Sequence, residues 1–221
     1  MLGRGAGDHV PPHLTLYIGL DGPFNEVKSY EQPHLFSRLP YSAFMVILKT
    51  ERLALREFTI DDYEAAHAYA SDPRVVEYMS FGPNTPEDTR QFLERAIEKQ
   101  RQRPRTGYTL ALTIEGEVIG GCGITITDAK RGEGEIGYCM CPEYWGRGLG
   151  TEVAGALIRF GFEELGFHRI IAKCDPMNVA SWRVMEKNGM RREGRLRENV
   201  KIRGEWRDSL LYSILEHEHS G

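Results

Sequence analysis

The sequence predicts a mixed α/β (α+β) domain, because segments of helical and of strand period succeed one another and meet at junctions with matching turn chemistry. Two observations carry this. Gly134 to Cys141 alternates, with Ile136, Tyr138 and Met140 on one side and Glu135, Gly137 and Cys139 on the other, and leads through Tyr144-Trp145-Gly146-Arg147-Gly148-Leu149-Gly150-Thr151-Glu152 into a helical pattern. Two strand-like runs, Tyr108 to Glu115 and Glu117 to Thr127, flank Glu115-Gly116 as the arms of a hairpin.

In chain order, residues 1 to about 44 mix Gly, Pro, His and isolated aromatics without sustained period. They form an N-terminal extension that is disordered, precedes the natural start, or docks on the domain through Leu14, Tyr17, Ile18, Phe24 and Phe36. The domain itself occupies 45–221. Arg52 to Phe58 alternates around Leu53 and Leu55 as a half-buried strand would. Thr59-Ile60-Asp61-Asp62 caps a helix that runs through Tyr69 and ends before Asp72-Pro73. Thr85-Pro86-Glu87-Asp88 caps a second, reaching about Gln102. Gly120, Gly121 and Gly123 interrupt the second hairpin strand and imply a bulge or a close backbone approach. After the glycine run comes a helix from about Gly150 to Leu165, with Ala154, Leu157, Ile158, Gly161 and Leu165 on one face. A strand from His168 to Asp175, a helix from Asn178 to Asn188 stopped by Gly189, and two closing strands complete the chain.

The glycine run is where chemistry is expected. A helix opening at such glycines presents N–H groups without internal acceptors and the positive end of its dipole, which suits a pyrophosphate. Side chains at Gly146, Gly148 or Gly150 would hold the backbone off the ligand, and Arg147 adds a positive charge. The run lacks the Lys of a mononucleotide loop and reads G-x-G-x-G rather than the dinucleotide G-x-G-x-x-G.

Composition narrows the classes further. A net charge of −4 over 221 residues argues against a broad nucleic-acid surface and otherwise indicates little beyond solubility. Cys122, Cys139, Cys141 and Cys174 lie in apolar runs without a C-x-x-C pair, as buried thiols of a reducing cytoplasm do, and no metal site is expected. His217 and His219 belong to a polar tail and are expected in solvent. No run has the length of a membrane span.

Taken with its flanks, the run resembles the acetyl-CoA site of the GNAT N-acetyltransferase superfamily, [QR]-x-x-G-x-[GA] after a central strand, with Gly148 and Gly150 matching. Trp145 stands where Gln or Arg is usual, and resembles the W-G-x-G of the branch of ribosomal-protein N-terminal (RimJ/RimL-like) acetyltransferases. Asn178 to Met190 resembles that branch's N-x-x-S-x-x-x-x-E-K-x-G-[FM], and Gly204-Glu205-Trp206-Arg207-Asp208 is a third match. Together they span about Leu48 to Glu216.

The resemblance implies a mixed, mostly antiparallel sheet, flanked by helices and splayed beside the glycine loop so that the pantetheine arm adds to an open strand edge. It implies acetyl-CoA as cosubstrate, held at Met140, Cys141, Arg147, Gly148, Leu149, Gly150, Thr151 and Asn178. The acceptor is an amine, first a protein N-terminus, with a polyamine, an aminoglycoside or an amino acid as alternatives, and a non-catalytic acyl-CoA sensor as the rival class. By resemblance Ser181 protonates the departing sulfur, although a serine there is also an ordinary capping residue. Glu135 is the candidate base, or else a structural carboxylate, and amides near Met140 are the candidate oxyanion donors. Cys139 lacks a histidine at a matching spacing, so direct attack is expected rather than an acetyl-cysteine. A homodimer is the default for an enzyme of this size.

Overall fold

The computed structural model describes residues 46–219. The expected extension over 1–44 lies outside the described residues. Eight strands form one sheet: β1 (Val46–Lys49), β2 (Ala54–Glu57), β3 (Gly107–Ile114), β4 (Glu117–Asp128), β5 (Glu133–Met140), β6 (Arg169–Cys174), β7 (Arg191–Ile202) and β8 (Glu205–Leu215). Their order across the sheet is β1-β2-β3-β4-β5-β6-β8-β7. Every pairing is antiparallel except β5 with β6.

That one parallel pairing sets up the site. Its register covers only Glu133↔Arg169, Gly134↔Ile170 and Glu135↔Ile171, so beyond Glu135 the two strands have parted. Separated strands leave one row of amides and carbonyls without partners, which is an edge opened inside the sheet.

Helix α4 (Leu149–Glu163) covers one face, burying Val153, Leu157 and Ile158 against Ile136, Tyr138 and Met140 of β5. Helices α1 (Tyr63–Ala70), α2 (Pro73–Val76) and α3 (Pro86–Arg101) cover the other, where Ala66, Tyr69, Leu93 and Ala96 cluster with Phe58, Ala111 and Cys139. Both faces of β5 are therefore buried, and the alternation read from its sequence separates two apolar cores instead of core from solvent. Helix α5 (Val179–Lys187) ends at Gly189, whose φ of 77° suits the left-handed stop.

Several elements differ from the sequence expectation. The strand expected over Arg52 to Phe58 shortens to β2 because Thr50 and Leu53 close a turn, Thr50 N donating to Leu53 O at 2.9 Å. Asp72-Pro73 ends α1 but also starts α2, the Asp72 side chain accepting from Arg74 N. Helix α4 begins at Leu149 instead of Gly150 because Gly148, at φ 78°, is its N-cap. The interruption in β4 is a bulge: Leu112 faces Gly120 while Thr113 faces Val118, leaving Ile119 as the extra residue. Close approach is present too, since a Cβ on Gly120 would lie 2.2 Å from Cys139 O. His219 is half-buried rather than solvated, its ring 5.3 Å from that of Phe162, because residues 216–218 form a 3₁₀ turn that folds the tail back.

Candidate active site

The glycine run becomes a turn leading into α4. Pro142–Tyr144 form one 3₁₀ turn after β5, and Gly146 and Gly148 both take positive φ, at 72° and 78°. Among the described residues no hydrogen bond engages the N–H groups of Gly146, Arg147, Gly148, Leu149 or Gly150. The Thr151 N–H does bond Gly148 O at 3.1 Å, so Thr151 has its hydroxyl to offer. Five free donors at a helix mouth have the character that suits an anion. The Arg147 guanidinium rests 5.4 Å above the Tyr144 ring.

Beside the cradle lies the opened edge. The Cys141 N–H bonds Ile119 O at 2.8 Å, which commits it to β4. Antiparallel alternation then turns the Met140 amide to the other edge, toward the gap left by β6. There the Met140 carbonyl accepts from Trp145 Nε1 at 2.8 Å, pinning the indole under the turn, while the N–H faces the opening.

Across the gap, β6 leads into α5. Asn178 caps that helix, its Oδ1 accepting from Ser181 N at 3.1 Å, and both residues are buried. Neither the Ser181 hydroxyl nor that of Tyr138 on β5 has a nitrogen or oxygen partner among the described residues, and Ser181 has the Cys174 thiol beside it as a weak one. The Cys174 thiol lies near both; burial pushes it up to about 12, with the Ser181 hydroxyl pulling the other way. Buried hydroxyls without an oxygen or nitrogen partner are rare in folded proteins.

Residues 52–191 match the acetyltransferase (GNAT) domain family. The chain belongs to the GNAT acetyltransferase family. It is 37% identical over 173 residues to the uncharacterized N-acetyltransferase YnaD of Bacillus subtilis (strain 168), covering 77% of this chain and 98% of that one. The crystal structure of a GNAT-family acetyltransferase from Bacillus anthracis superposes with a TM-score of 0.68 at 37% identity, over 79% of this chain and 99% of that one. The ribosomal-protein-S5-alanine acetyltransferase from Vibrio fischeri shares the fold at a TM-score of 0.67 and 22% identity, over 81% of this chain and all (100%) of that one. The protein is thus an acetyl-CoA-dependent acetyltransferase.

On the opposite face of β5 from Met140, the Glu135 carboxylate of this acetyltransferase sits where β5 and β6 part. Lys173 Nζ donates to its Oε2 at 2.8 Å, which leaves Oε1 for a water or an amine. Lys173 was not singled out in the sequence, because only the β5–β6 register brings it to Glu135. The Cys139 thiol is 2% exposed, and burial pushes it up to about 12, so its thiolate is scarce near neutral pH. Among the described residues no group of three or more side chains could hold a metal ion, and no helix is long and apolar enough to cross a membrane.

Sequence reasoning also missed the clasp beneath the cradle. Arg52, on the β1–β2 turn, donates to Glu152 Oε2 through Nε at 2.7 Å and to Arg147 O through Nη1 at 2.8 Å. The backbone N–H of Arg52 and the hydroxyl of Thr50 complete the hold on Glu152. A carboxylate in the first turn of α4 is favourable in itself. Here it also anchors a loop about a hundred residues distant in sequence.

Proposed function

We propose that the protein transfers the acetyl group of acetyl-CoA to an α-amine, that of a protein N-terminus, by direct attack within a ternary complex. The observation that carries this is the coincidence of three features at one gap: five unbonded N–H groups at the mouth of α4, the opened β5 edge at Met140, and the buried Ser181 hydroxyl beside the Cys174 thiol. The diphosphate fits the first, the pantetheine amides the second, and the sulfur the third.

In the reaction the amine nitrogen attacks the thioester carbonyl carbon, the carbonyl oxygen takes up negative charge, and the C–S bond breaks. The Met140 N–H is aimed to stabilise that oxygen. Glu135 Oε1 accepts, through water, the proton the nitrogen sheds, and Ser181 Oγ–H donates a hydrogen bond to the departing sulfur and relays a proton to it, regaining one from water, so that the proton lost by nitrogen is returned to the thiol. An α-amine, with a pKa of about 7.7–8.0, is partly neutral at physiological pH and needs only this modest help, whereas a lysine-type amine near 10.4 needs more. The fold shared with a ribosomal-protein-S5-alanine acetyltransferase agrees with that acceptor by analogy alone.

The test is thiol release from acetyl-CoA across peptides with free N-termini, polyamines and aminoglycosides, alongside thermal stabilisation by CoA. Release with N-terminal amines supports the proposal. Stabilisation by CoA without release by any amine would leave a sensor and refute it.

A further inference from the structure

A second cavity, of about 370 Å³, lies on the α1/α3 face of the sheet. Its walls carry the rings of Phe58, Phe81 and Phe92, and its floor includes Gly121 and Cys139, next in sequence to Met140. The cavity therefore borders the strand that carries the proposed oxyanion donor, on the face where Glu135 stands.

Tyr69 is its one deeply buried polar group. The residue is 3% exposed and lines the cavity. Oη lies 3.0 Å from the position a Cβ on Gly121 would take, so the missing side chain leaves room for the phenol against the strand. Burial raises the Tyr69 phenol well above its usual range, which keeps it a neutral hydroxyl able to accept from an amine N–H.

Charge is sparse and close to balanced, one carboxylate against one guanidinium. The one carboxylate lining the cavity, Asp88, accepts from Thr85 N at 2.9 Å and Thr85 Oγ1 at 2.7 Å as part of the cap of α3, and Arg95 adds a positive charge nearby. Several ammonium groups would enter aromatic walls without counterions, which is costly. The volume is near the small end of the roughly 300–1,000 Å³ usual for ligand pockets.

We propose that this cavity receives the acceptor, and that the acceptor is a primary amine borne on one compact apolar or aromatic group, oriented by the Tyr69 hydroxyl. This rests on the acetyl-transfer reading above and narrows it: the residue bearing the amine has a large apolar side chain. Polyamines and aminoglycosides are poor substrates.

The test uses the full chain with acetyl-CoA and compares 2-phenylethylamine and peptides led by Phe or Leu with spermidine, an aminoglycoside and a Gly-led peptide. The apolar amines should exceed spermidine and the aminoglycoside at least about tenfold in kcat/KM, and the Gly-led peptide as well. Tyr69→Phe, which removes one oxygen and keeps the ring, should raise acceptor KM about fivefold or more while acetyl-CoA KM stays within about twofold. Equal or better turnover of spermidine or the aminoglycoside overturns the inference but not the acetyl-transfer reading, and so does an unchanged acceptor KM in Tyr69→Phe. If no amine releases thiol, acetyl transfer itself fails. Calorimetry of 2-phenylethylamine with the CoA-saturated protein then decides: binding weakened by Tyr69→Phe upholds the cavity's ligand class, and no binding refutes it.

Discussion

Ser181 and Cys139 show how burial decides what a side chain can do. Ser181 Oγ has no oxygen or nitrogen partner among the described residues and only the Cys174 thiol beside it, so Ser181→Ala costs the fold little. Its backbone N–H still bonds Asn178 Oδ1. Turnover by thiol release should nevertheless fall by roughly 10²-fold, the usual scale for a proton donor in the transition state, with acetyl-CoA KM changed less than about threefold. Cys139→Ala should cost less than about threefold in kcat, because a thiol held at about 12 is not a nucleophile near neutral pH. Near-complete loss with an unchanged melting temperature would instead revive an acetyl-cysteine. Ser181 and Asn178 were legible because helix capping and the resemblance lie within one short stretch. Tyr69 was not, since nothing in a helical Tyr-Ala-Ser reveals that Gly121, fifty positions on, leaves space for its hydroxyl.

At the scale of elements, the long-range arginines explain how short loops hold still. Arg52 ties the β1–β2 turn to the first turn of α4, and a cradle of free amides binds well only if its backbone is already in place. Arg52→Ala should raise acetyl-CoA KM about three- to tenfold and leave acceptor KM alone; steady-state kinetics with each substrate varied checks this. A second arginine works beside the aromatic cavity. Arg203 sits at the β7–β8 turn with φ 47° and donates to Val76 O at 3.1 Å, Glu77 O at 2.5 Å and Gly82 O at 3.2 Å. A positive φ disfavours a residue with a Cβ, so glycine would suit the backbone better and the side chain must justify its place. Arg203→Gly should therefore hold the melting temperature within a few degrees yet raise acceptor KM about threefold or more, because residues 80–84 line the aromatic cavity. Periodicity and caps made α3, α4, α5 and the β3–β4 hairpin readable in advance. The clasp and the latch were not readable, because each joins residues about a hundred or more positions apart.

At the scale of the whole molecule, both faces of the sheet are buried at its centre, and that arrangement shapes how stability depends on pH. Burial pushes the Cys139 and Cys174 thiols to about 12 and Cys141 to about 11, from 9.0. The folded state thus holds these protons more tightly than the unfolded chain, so their contribution is whole below about pH 9 and is lost as pH rises toward 11 and 12. The acid limb has the opposite origin. Arg169 and the Ser213 hydroxyl hold the Glu193 carboxyl at about 2, down from 4.5. Burial opposes the charge on Asp62, but a paired hydrogen bond from Arg56, 2.7 Å at each oxygen, outweighs it and lowers that group too. A carboxyl lowered by folding contributes stability above its unfolded pKa, which is lost as pH falls from about 4.5 toward 2. Denaturant midpoints should form a plateau from about pH 5 to 9 with a decline on each side. Glu193→Gln should make the acid decline shallower and leave the alkaline one unchanged, whereas Cys139→Ala should do the reverse. A midpoint independent of pH between 9 and 11 would mean that these thiols meet water in the folded protein, and the two-cored sheet would then be wrong at its centre.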